Sequence, residues 1–326
     1  MKKNDGMSRR QFLSASLGAA AAGVLLTRKA IGSNKEEAAR PGAGAGGTRL
    51  ILLGTGGGPR PNKLRNQSAW VIAVNKAYYV VDCGGGVSRQ LLMADIPLTG
   101  LRHIFITHHH SDHNLEYGAL IYNAWVSGFK GRIDSWGPRP LAGITGAFFE
   151  TNKYDIDIRI PDEGRPPLVP MVTPHEITKE GLVMEDDYVK VTAALVHHPP
   201  VVPSYAYRFD THGRSIVFSG DTTPCDALVR LAEGADVLVH EVINREALSR
   251  LMARVPNADR LVGHIVDSHT TREDVGLIAK RAGVKTLVLT HFVPSDDPSI
   301  TDDMWIDPVR ANFSGRIIVS RDLMEV

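Results

Sequence analysis

The most informative segment of the chain is Thr107-His108-His109-His110-Ser111-Asp112-His113. It follows an apolar stretch that the pattern predicts as a buried strand. Side chains two positions apart on an extended backbone point to the same side, so His108 and His110 can bind one cation. Asp112 and His113 would then turn toward a second cation. Because imidazoles with a carboxylate suit zinc, iron or manganese rather than calcium, the segment predicts a transition-metal site, with a solvated histidine-rich loop as the alternative.

The N-terminus has the features of an export signal. Residues 8–13 read Ser-Arg-Arg-Gln-Phe-Leu, which resembles a twin-arginine motif, and residues 12–26 are apolar. The apolar stretch is too short and too rich in Ala and Gly for a stable membrane span. We therefore expect a signal peptide at residues 1–30, a Gly/Ala-rich linker at residues 31–47, and delivery by the twin-arginine export machinery to the periplasm or the exterior. An uncleaved anchor or a fortuitous basic terminus is the alternative.

Composition limits the partners of the remaining body, residues 48–326. The chain of 326 residues carries 37 basic and 36 acidic side chains, and 43% of it is hydrophobic, which is ordinary for a globular protein. Residues 1–30 hold six Lys/Arg and one acidic residue, so the rest has 31 basic and 35 acidic residues, a formal charge of −4. A mildly acidic body disfavours nucleic acid as a partner. The two cysteines, Cys83 and Cys225, are expected as free thiols, with a disulfide as the minority alternative.

The order of predicted elements indicates two sheets packed face to face with helices outside, because strands precede helices twice along the body. Residues 155–174 are polar and rich in proline, and they are assigned neither helix nor strand. Residues 317–320 are predicted as the last strand. The other predicted strands are 51–53, 68–74, 77–81, 103–106, 189–196, 205–209, 216–219, 237–239 and 286–290, and the predicted helices are 87–94, 115–125, 140–150, 227–233 and 272–282.

Further groups of polar residues occur at or near the ends of apolar strands. Sites in α/β proteins are commonly built there, because the sheet holds the loops rigidly around a crevice. A single histidine is more often a framework residue than a ligand, so each group is weak evidence alone. Together, in this order after the first segment, they predict one composite site. The groups are His197-His198, Ser219-Gly220-Asp221-Thr222, His240-Glu241, and His291 preceded by Ser268-His269-Thr270.

With these groups, the chain resembles the metallo-β-lactamase fold superfamily, on the branch that holds ribonuclease Z and the related arylsulfatase and phosphodiesterase-like hydrolases. The resemblance runs from about residue 48 to residue 322 and includes Gly54-Thr55-Gly56-Gly57-Gly58-Pro59 and Arg65-Asn66-Gln67-Ser68. It implies an α/β fold, the four-layer αββα sandwich. Relatives on this branch are often dimers, so the resemblance allows a homodimer, but the sequence itself does not determine the oligomeric state.

The resemblance implies two divalent metal ions, with Zn²⁺ favoured and Mn²⁺ or iron as alternatives. The implied ligands are His108, His110 and His198 for the first ion, Asp112, His113 and His291 for the second, and Asp221 as the bridge. His197 stays an alternative to His198, which we favour because related hydrolases place the ligand just before a proline. Asp82, at the end of a strand before three glycines, is expected to orient a ligand histidine, with turn capping as the alternative.

The function implied by the resemblance is an exported metal-dependent hydrolase of phosphodiester, sulfate or related ester bonds, in which a hydroxide shared by the two ions is the nucleophile. Asp112 would bind the second ion and orient the water or accept its proton. Glu241 would hold His269, which lies off the metals, so that His269 can protonate the leaving oxygen. We expect a small-molecule ester as substrate. Candidate pocket walls, with the core as the alternative location, are Trp125, Trp136, Tyr205 and Tyr207.

The main alternative function is that of a ribonuclease Z-type tRNA 3′-processing endonuclease. Three features argue against it: the export signal, the acidic body, and the 22 residues between His198 and Asp221, where most members carry the arm that grips tRNA. A lactonase or β-lactamase-like hydrolase is another alternative, although true metallo-β-lactamases lack the aspartate that Asp221 supplies. A metal-binding protein or a di-iron redox protein is the non-hydrolase alternative.

Overall fold

The computed structural model describes residues 47–252 and 258–326. The predicted signal peptide and nearly all of the predicted linker lie outside the described residues. The strands are β1 Arg49–Gly54, β2 Ala69–Val74, β3 Ala77–Val81, β4 Leu101–Phe105, β5 Ile133–Gly137, β6 Val172–Glu176, β7 Gly181–Glu185, β8 Val189–His198, β9 Val201–Thr211, β10 Ser215–Phe218, β11 Val237–Ile243, β12 Thr286–Val293, β13 Arg316–Val319 and β14 Met324–Glu325. The α-helices are α1 Val87–Met93, α2 Ser111–Asn114, α3 Tyr117–Val126, α4 Leu141–Thr151, α5 Lys153–Glu163, α6 Asp226–Leu231, α7 Arg245–Met252, α8 Ala258–Ser268, α9 Arg272–Ala282 and α10 Asp302–Arg310.

Two mixed sheets of seven strands each form the framework. The first sheet has the order β14-β1-β2-β3-β4-β5-β6, and the second has the order β13-β12-β11-β10-β9-β8-β7. In each sheet a run of antiparallel neighbours continues into parallel ones, β3 to β6 in the first and β10 to β13 in the second. Two sheets with helices outside are the predicted α/β sandwich, so the fold prediction is confirmed.

The alternation of side chains along single strands explains the layers. In β1, Leu50 and Leu52 pack between the sheets, whereas Ile51 and Leu53 pack against the helices outside the first sheet. In the same way, Val288 of β12 faces the first sheet, while its neighbours pack against α9 and α10. Full burial of one such side chain contributes roughly 1.5–3 kcal/mol. A one-residue slip of either strand would exchange its two buried faces, so packing fixes the register.

The sequence analysis did not predict several elements of the structure, namely α2, α5, α7, α8, α10, β6, β7 and β14. Two explicit assignments are also wrong. The stretch 155–174 is not free of regular structure, because α5 occupies its first part and continues through Pro161. Ion pairs four residues apart, such as Lys153–Asp157 and Arg159–Asp155, support this polar helix, and Ile156 anchors it in the core. Residues 317–320 are also not the last strand, because β14 follows and pairs antiparallel with β1.

The strand ends bring the predicted groups to one side of the sandwich. The His-rich segment, residues 107–113, follows β4. Asp221 follows β10, and Glu241 lies on β11 near its end. The strands β10, β11 and β12 are parallel neighbours, so their carboxyl ends lie at the same edge. Cys83 and Cys225 are both free thiols. Among the described residues, no helix has the length and apolar character needed to cross a membrane.

Candidate metal centre

The backbone explains how the His-rich segment serves two clusters. The backbone of His110 is extended, with φ and ψ of −71° and 149°. The helix α2 begins at Ser111, so Asp112 and His113 lie on a helical turn rather than on extended backbone. This change of backbone places the two halves of the segment in neighbouring clusters.

The first cluster contains His108, His110, His198 and Asp221, whose candidate ligand atoms all lie within 4.8 Å of one another. Nδ1 of His110 is 3.2 Å from Nε2 of His108 and 3.1 Å from Nε2 of His198. Oδ2 of Asp221 is 3.8 Å from Nε2 of His108. Three imidazole nitrogens and one carboxylate oxygen therefore converge on one point, which is a donor set for a divalent transition metal.

The second cluster contains Asp112, His113 and His291. Oδ2 of Asp112 lies 3.6 Å from Nε2 of His113 and 3.4 Å from Nε2 of His291. The same two nitrogens lie 3.3 Å and 3.1 Å from Oδ2 of Asp221. Asp221 thus lies between the clusters, in the position that a bridging ligand requires.

Unpartnered buried atoms show that the two clusters fit cations. Nε2 of His113, Nε2 of His291 and Oδ1 of Asp221 are buried and have no hydrogen-bond partner. Burial alone would lower the pKa of His291, but the nearby carboxylates of Asp221 and Asp112 raise it to about 10. Burial would raise the pKa of Asp221, yet the charges of His291 and His113 hold it well below its usual range. The buried carboxylates are therefore stable only with positive charge close to them, and two divalent ions would supply that charge.

The structure brings His198 into the first cluster and leaves His197 outside. His198 is 1% exposed, and its Nδ1 lies 2.8 Å from the carbonyl oxygen of Ser268, so its Nε2 faces the cluster. His197 is exposed, and its Nδ1 lies 3.0 Å from Oγ1 of Thr223. The alternation of side chains along β8 separates these adjacent imidazoles. The ligand roles themselves stay predictions.

Asp82 orients His113 from behind the second cluster. Its Oδ2 lies 2.7 Å from Nδ1 of His113, and its carboxylate also accepts hydrogen bonds from the backbone nitrogen and the hydroxyl of Thr107. A carboxylate on one ring nitrogen fixes the tautomer, so the other nitrogen is left to face the cluster. The structure thus favours the orienting role over turn capping.

His269 and Glu241 form a buried pair next to the first and second clusters. Nδ1 of His269 lies 3.1 Å from Oε1 of Glu241, which also accepts hydrogen bonds from the backbone nitrogens of Thr222 and Thr270. Burial alone would lower the pKa of His269, but the charge and hydrogen bond of Glu241 raise it. The carboxylate of Glu241 therefore favours the charged form of this imidazole, which lies beside the candidate metal ligands.

A cavity of about 200 Å³ opens onto the clusters and is lined partly by α8. Leu261, His264 and Ile265 have the spacing of one helix face, and all three line this cavity. The sequence analysis did not predict α8 and left His264 unassigned, although the spacing of these residues was a usable signal. The aromatic residues considered as pocket walls are core residues instead: Trp125, Trp136, Tyr205 and Tyr207.

The fold and the paired clusters define a class of protein. The family described as the β-lactamase superfamily domain matches residues 78–292, and the chain belongs to the metallo-β-lactamase superfamily as a metal-dependent hydrolase. Within it, the chain is a homologue of ribonuclease Z. The ribonuclease Z of Mycobacterium bovis is 34% identical over 280 residues, which cover 85% of this chain and 97% of that protein.

Two solved structures are similar in fold. The metallo-β-lactamase fold protein YhfI from Bacillus subtilis superposes with a TM-score of 0.62 at 20% identity, covering 86% of this chain and 98% of that one. The short form of human tRNase Z superposes with a TM-score of 0.61 at 22% identity, covering 85% and 98%. At this identity the two structures show the fold alone. The fold family suggests a dinuclear site, typically of zinc, and the His/Asp clusters agree with that.

Proposed function

We propose that the protein is a dinuclear metal-dependent phosphodiesterase of the ribonuclease Z type, which cleaves a phosphodiester bond of RNA. The observation that carries the proposal is the buried pair of His269 and Glu241 beside the two clusters. The mycobacterial relatives named ribonuclease Z support it, because the match extends over 97% of such a protein. Sequence analysis ranked this function behind small-ester hydrolysis, and the ribonuclease Z relatives are the reason that we now propose it first.

When bound, two divalent ions supply Lewis-acid stabilisation of the phosphoryl oxygens and lower the pKa of a water toward about 7. The chain's own residues do the rest. Glu241 holds Nδ1 of His269, so Nε2 is the nitrogen left to give a proton to the leaving oxygen. Asp112, whose Oδ2 accepts a hydrogen bond from the backbone nitrogen of Gly58, orients the attacking water or takes its proton. Burial of the pair limits exchange with solvent water and strengthens these interactions.

A second candidate is hydrolysis of a small phosphodiester. The observation that favours it is the short connection between His198 and Asp221, where β9 and β10 hold 15 of the 22 intervening residues. No arm that could grip a folded RNA extends from this part of the described chain. The formal charge of −4 on residues 31–326 also weakens contact with a phosphate backbone.

A substrate panel with zinc-loaded protein tests both candidates. It compares a 3′-extended precursor tRNA, bis(p-nitrophenyl) phosphate, a cyclic nucleotide, p-nitrophenyl sulfate, a lactone and a β-lactam, each with the Asp112→Ala variant as the blank. Endonucleolytic cleavage of the precursor supports the leading proposal, and turnover of small phosphodiesters alone supports the second. Turnover of only the sulfate, lactone or β-lactam would overturn both.

Export is a separate proposal that rests on residues 8–13 and the apolar stretch after them. A reporter fused after residue 47 should reach the periplasm or the exterior, and replacing Arg9 and Arg10 by lysine should keep it in the cytoplasm. Retention of the unaltered fusion inside the cell would contradict export. The result also bears on the substrate, because an exported protein does not meet the cytoplasmic tRNA pool.

A further inference from the structure

Asp322, four residues before the C-terminal Val326, binds two residues near the start of the first sheet. Its Oδ1 accepts hydrogen bonds of 3.0 Å and 2.7 Å from the backbone nitrogen and the hydroxyl of Thr55. Its Oδ2 accepts hydrogen bonds of 2.6 Å and 2.8 Å from the backbone nitrogen and the side-chain amide of Asn66. Both oxygens are therefore engaged, and the carboxylate fixes the loop after β1 to the segment that leads into β2.

Arg65 extends this network to the end of β12. Its Nη1 donates to the hydroxyl of Thr55 at 2.7 Å and to the carbonyl oxygen of Ser320 at 2.8 Å. Its guanidinium carbon lies 4.1 Å from the centroid of the Phe292 ring. Phe292 directly follows His291, and its backbone nitrogen donates to the carbonyl oxygen of Thr55 at 3.1 Å. The hydroxyl of Thr55 donates to Asp322 and accepts from Arg65, so it links the two side chains.

The loop held in this way contacts two members of the second cluster. The backbone nitrogen of Gly58 donates to Oδ2 of Asp112 at 2.8 Å. The backbone of Gly57 lies so close to His291 that a Cβ there would be 2.6 Å from the imidazole, and its nitrogen donates to the carbonyl oxygen of Phe292. Within the described residues, no hydrogen bond joins the loop 55–58 to the histidines of the first cluster.

His291 needs such support because its backbone is strained. Its φ is 46°, in the left-handed region that residues other than glycine rarely adopt. Such a conformation persists only when the surrounding structure determines it. On the C-terminal side of His291, the contacts of Phe292 with Arg65, Thr55 and Gly57 hold the backbone in this conformation.

We propose that Asp322 and Arg65 are positioning residues for the second metal subsite, formed by Asp112, His113 and His291, and not for the first. The inference rests on the two-ion site of the proposed function but not on its substrate. Neither residue lines the cavity over the clusters, so both act through Thr55, Gly57, Gly58 and Phe292.

Zinc titration of the Asp322→Asn variant tests the inference. The asparagine replaces one acceptor oxygen by an amide that faces donors of Thr55 or Asn66, which loosens the loop. The metal-free protein is titrated with Zn²⁺ against a chromophoric chelator, and the stoichiometry is checked by elemental analysis. We expect one zinc equivalent to bind as in the unaltered protein and the other, assigned to the second subsite, to bind about 10- to 100-fold more weakly. Arg65→Lys, which keeps the charge but loses the planar fork, should act in the same direction.

The matched control is Asp236→Asn. Asp236 also accepts hydrogen bonds from the backbone nitrogen and hydroxyl of one residue, Ser215, at 2.8 Å and 2.9 Å, but it lies just before β11, at the opposite end of that strand from Glu241. Both zinc equivalents should bind normally in this control. If Asp322→Asn does not fold, Thr55→Val, which removes only the joining hydroxyl, decides the question by the same titration.

Three results would overturn the inference: unchanged binding of both equivalents, equal weakening of both, or the same selective loss in Asp236→Asn. The titration remains decisive even if the protein cleaves no phosphodiester, because it measures metal binding and not turnover. Failure of the inference is thus distinguishable from failure of the proposed function.

Discussion

At the scale of single residues, two adjacent histidines show what a sequence can and cannot determine. Strand alternation requires that His197 and His198 face opposite sides of β8, but it does not say which side holds the site. That choice depends on contacts from distant segments, such as the carbonyl of Ser268 that holds Nδ1 of His198. Local spacing was sufficient for His108 and His110, because they lie in one segment.

The two histidines provide a matched test of the ligand assignment. His198→Ala should lose the zinc ion of the first cluster, because one of the three imidazoles of that cluster is removed. His197→Ala should keep both zinc ions. Elemental analysis of the two reconstituted variants is the measurement. Loss of zinc in the His197 variant, or full loading in the His198 variant, contradicts the assignment.

The off-metal pair yields a second prediction. His269→Ala should lower kcat on substrates with poor leaving groups by about 10²–10⁴-fold, because a general acid is removed, and much less on activated aryl esters. Zinc content should not change. Rates measured on a series of phosphodiesters with different leaving groups, with zinc analysis alongside, check this. A lost metal ion would instead identify His269 as a ligand, and a uniform loss across the series would argue against proton donation.

At the scale of elements, the buried core strands were predicted well, whereas amphipathic helices such as α7, α8 and α10 and the shortest elements were missed. The core strands, such as β2 and β12, are continuous apolar runs and were found from the sequence. The helix α5 was missed because its sequence is mostly polar and contains Pro161, and β14 because two residues carry no periodicity. The role of α8 as a cavity wall depends on tertiary packing, which local spacing alone does not determine.

Gly57, in the loop after β1, has no room for a side chain beside His291. Gly57→Ala should weaken zinc binding at the second subsite, because its Cβ would lie 2.6 Å from the His291 ring and 2.7 Å from Cγ2 of Val293. Gly146→Ala is the control, since nothing lies within 4 Å of a Cβ there and it is inside α4. The control should keep both metals and gain up to about 1 kcal/mol of stability. Equal zinc affinity in both variants would contradict the predicted crowding.

Asp236, just before β11, should make the stability of the fold depend on pH. Hydrogen bonds from Lys285 and Ser215 lower the pKa of Asp236 to about 2, below the value of about 3.9 expected in the unfolded chain. Its carboxylate therefore stabilises the fold above about pH 4, and this contribution is lost as the pH falls through about 2. Asp236→Asn should cost at most about 1 kcal/mol at pH 7, because the group is partly exposed. Urea unfolding at pH 7 and pH 3 checks this, and a difference that does not shrink at pH 3 contradicts it.

At the scale of the whole molecule, the sandwich explains why residues far apart in sequence form one site. The carboxyl ends of strands from both sheets meet at one side, so His108, Asp221 and His291 approach one another although they belong to different sheets or loops. Elements and motifs predicted this arrangement from the sequence, whereas the charge and the short His198–Asp221 connection favoured a small ester over the RNA substrate that we propose. The net charge of a protein affects its affinity for a polyanion, but it does not determine which bond the site can cleave.

The most direct test is the number of zinc ions that one chain binds. Metal-free protein without any affinity tag is reconstituted with Zn²⁺, freed of excess metal by gel filtration and measured by elemental analysis against protein concentration. Two zinc ions per chain is the result that the paired clusters around Asp221 predict. Protein that retains no zinc, or only one, would contradict the dinuclear centre on which the proposed chemistry depends.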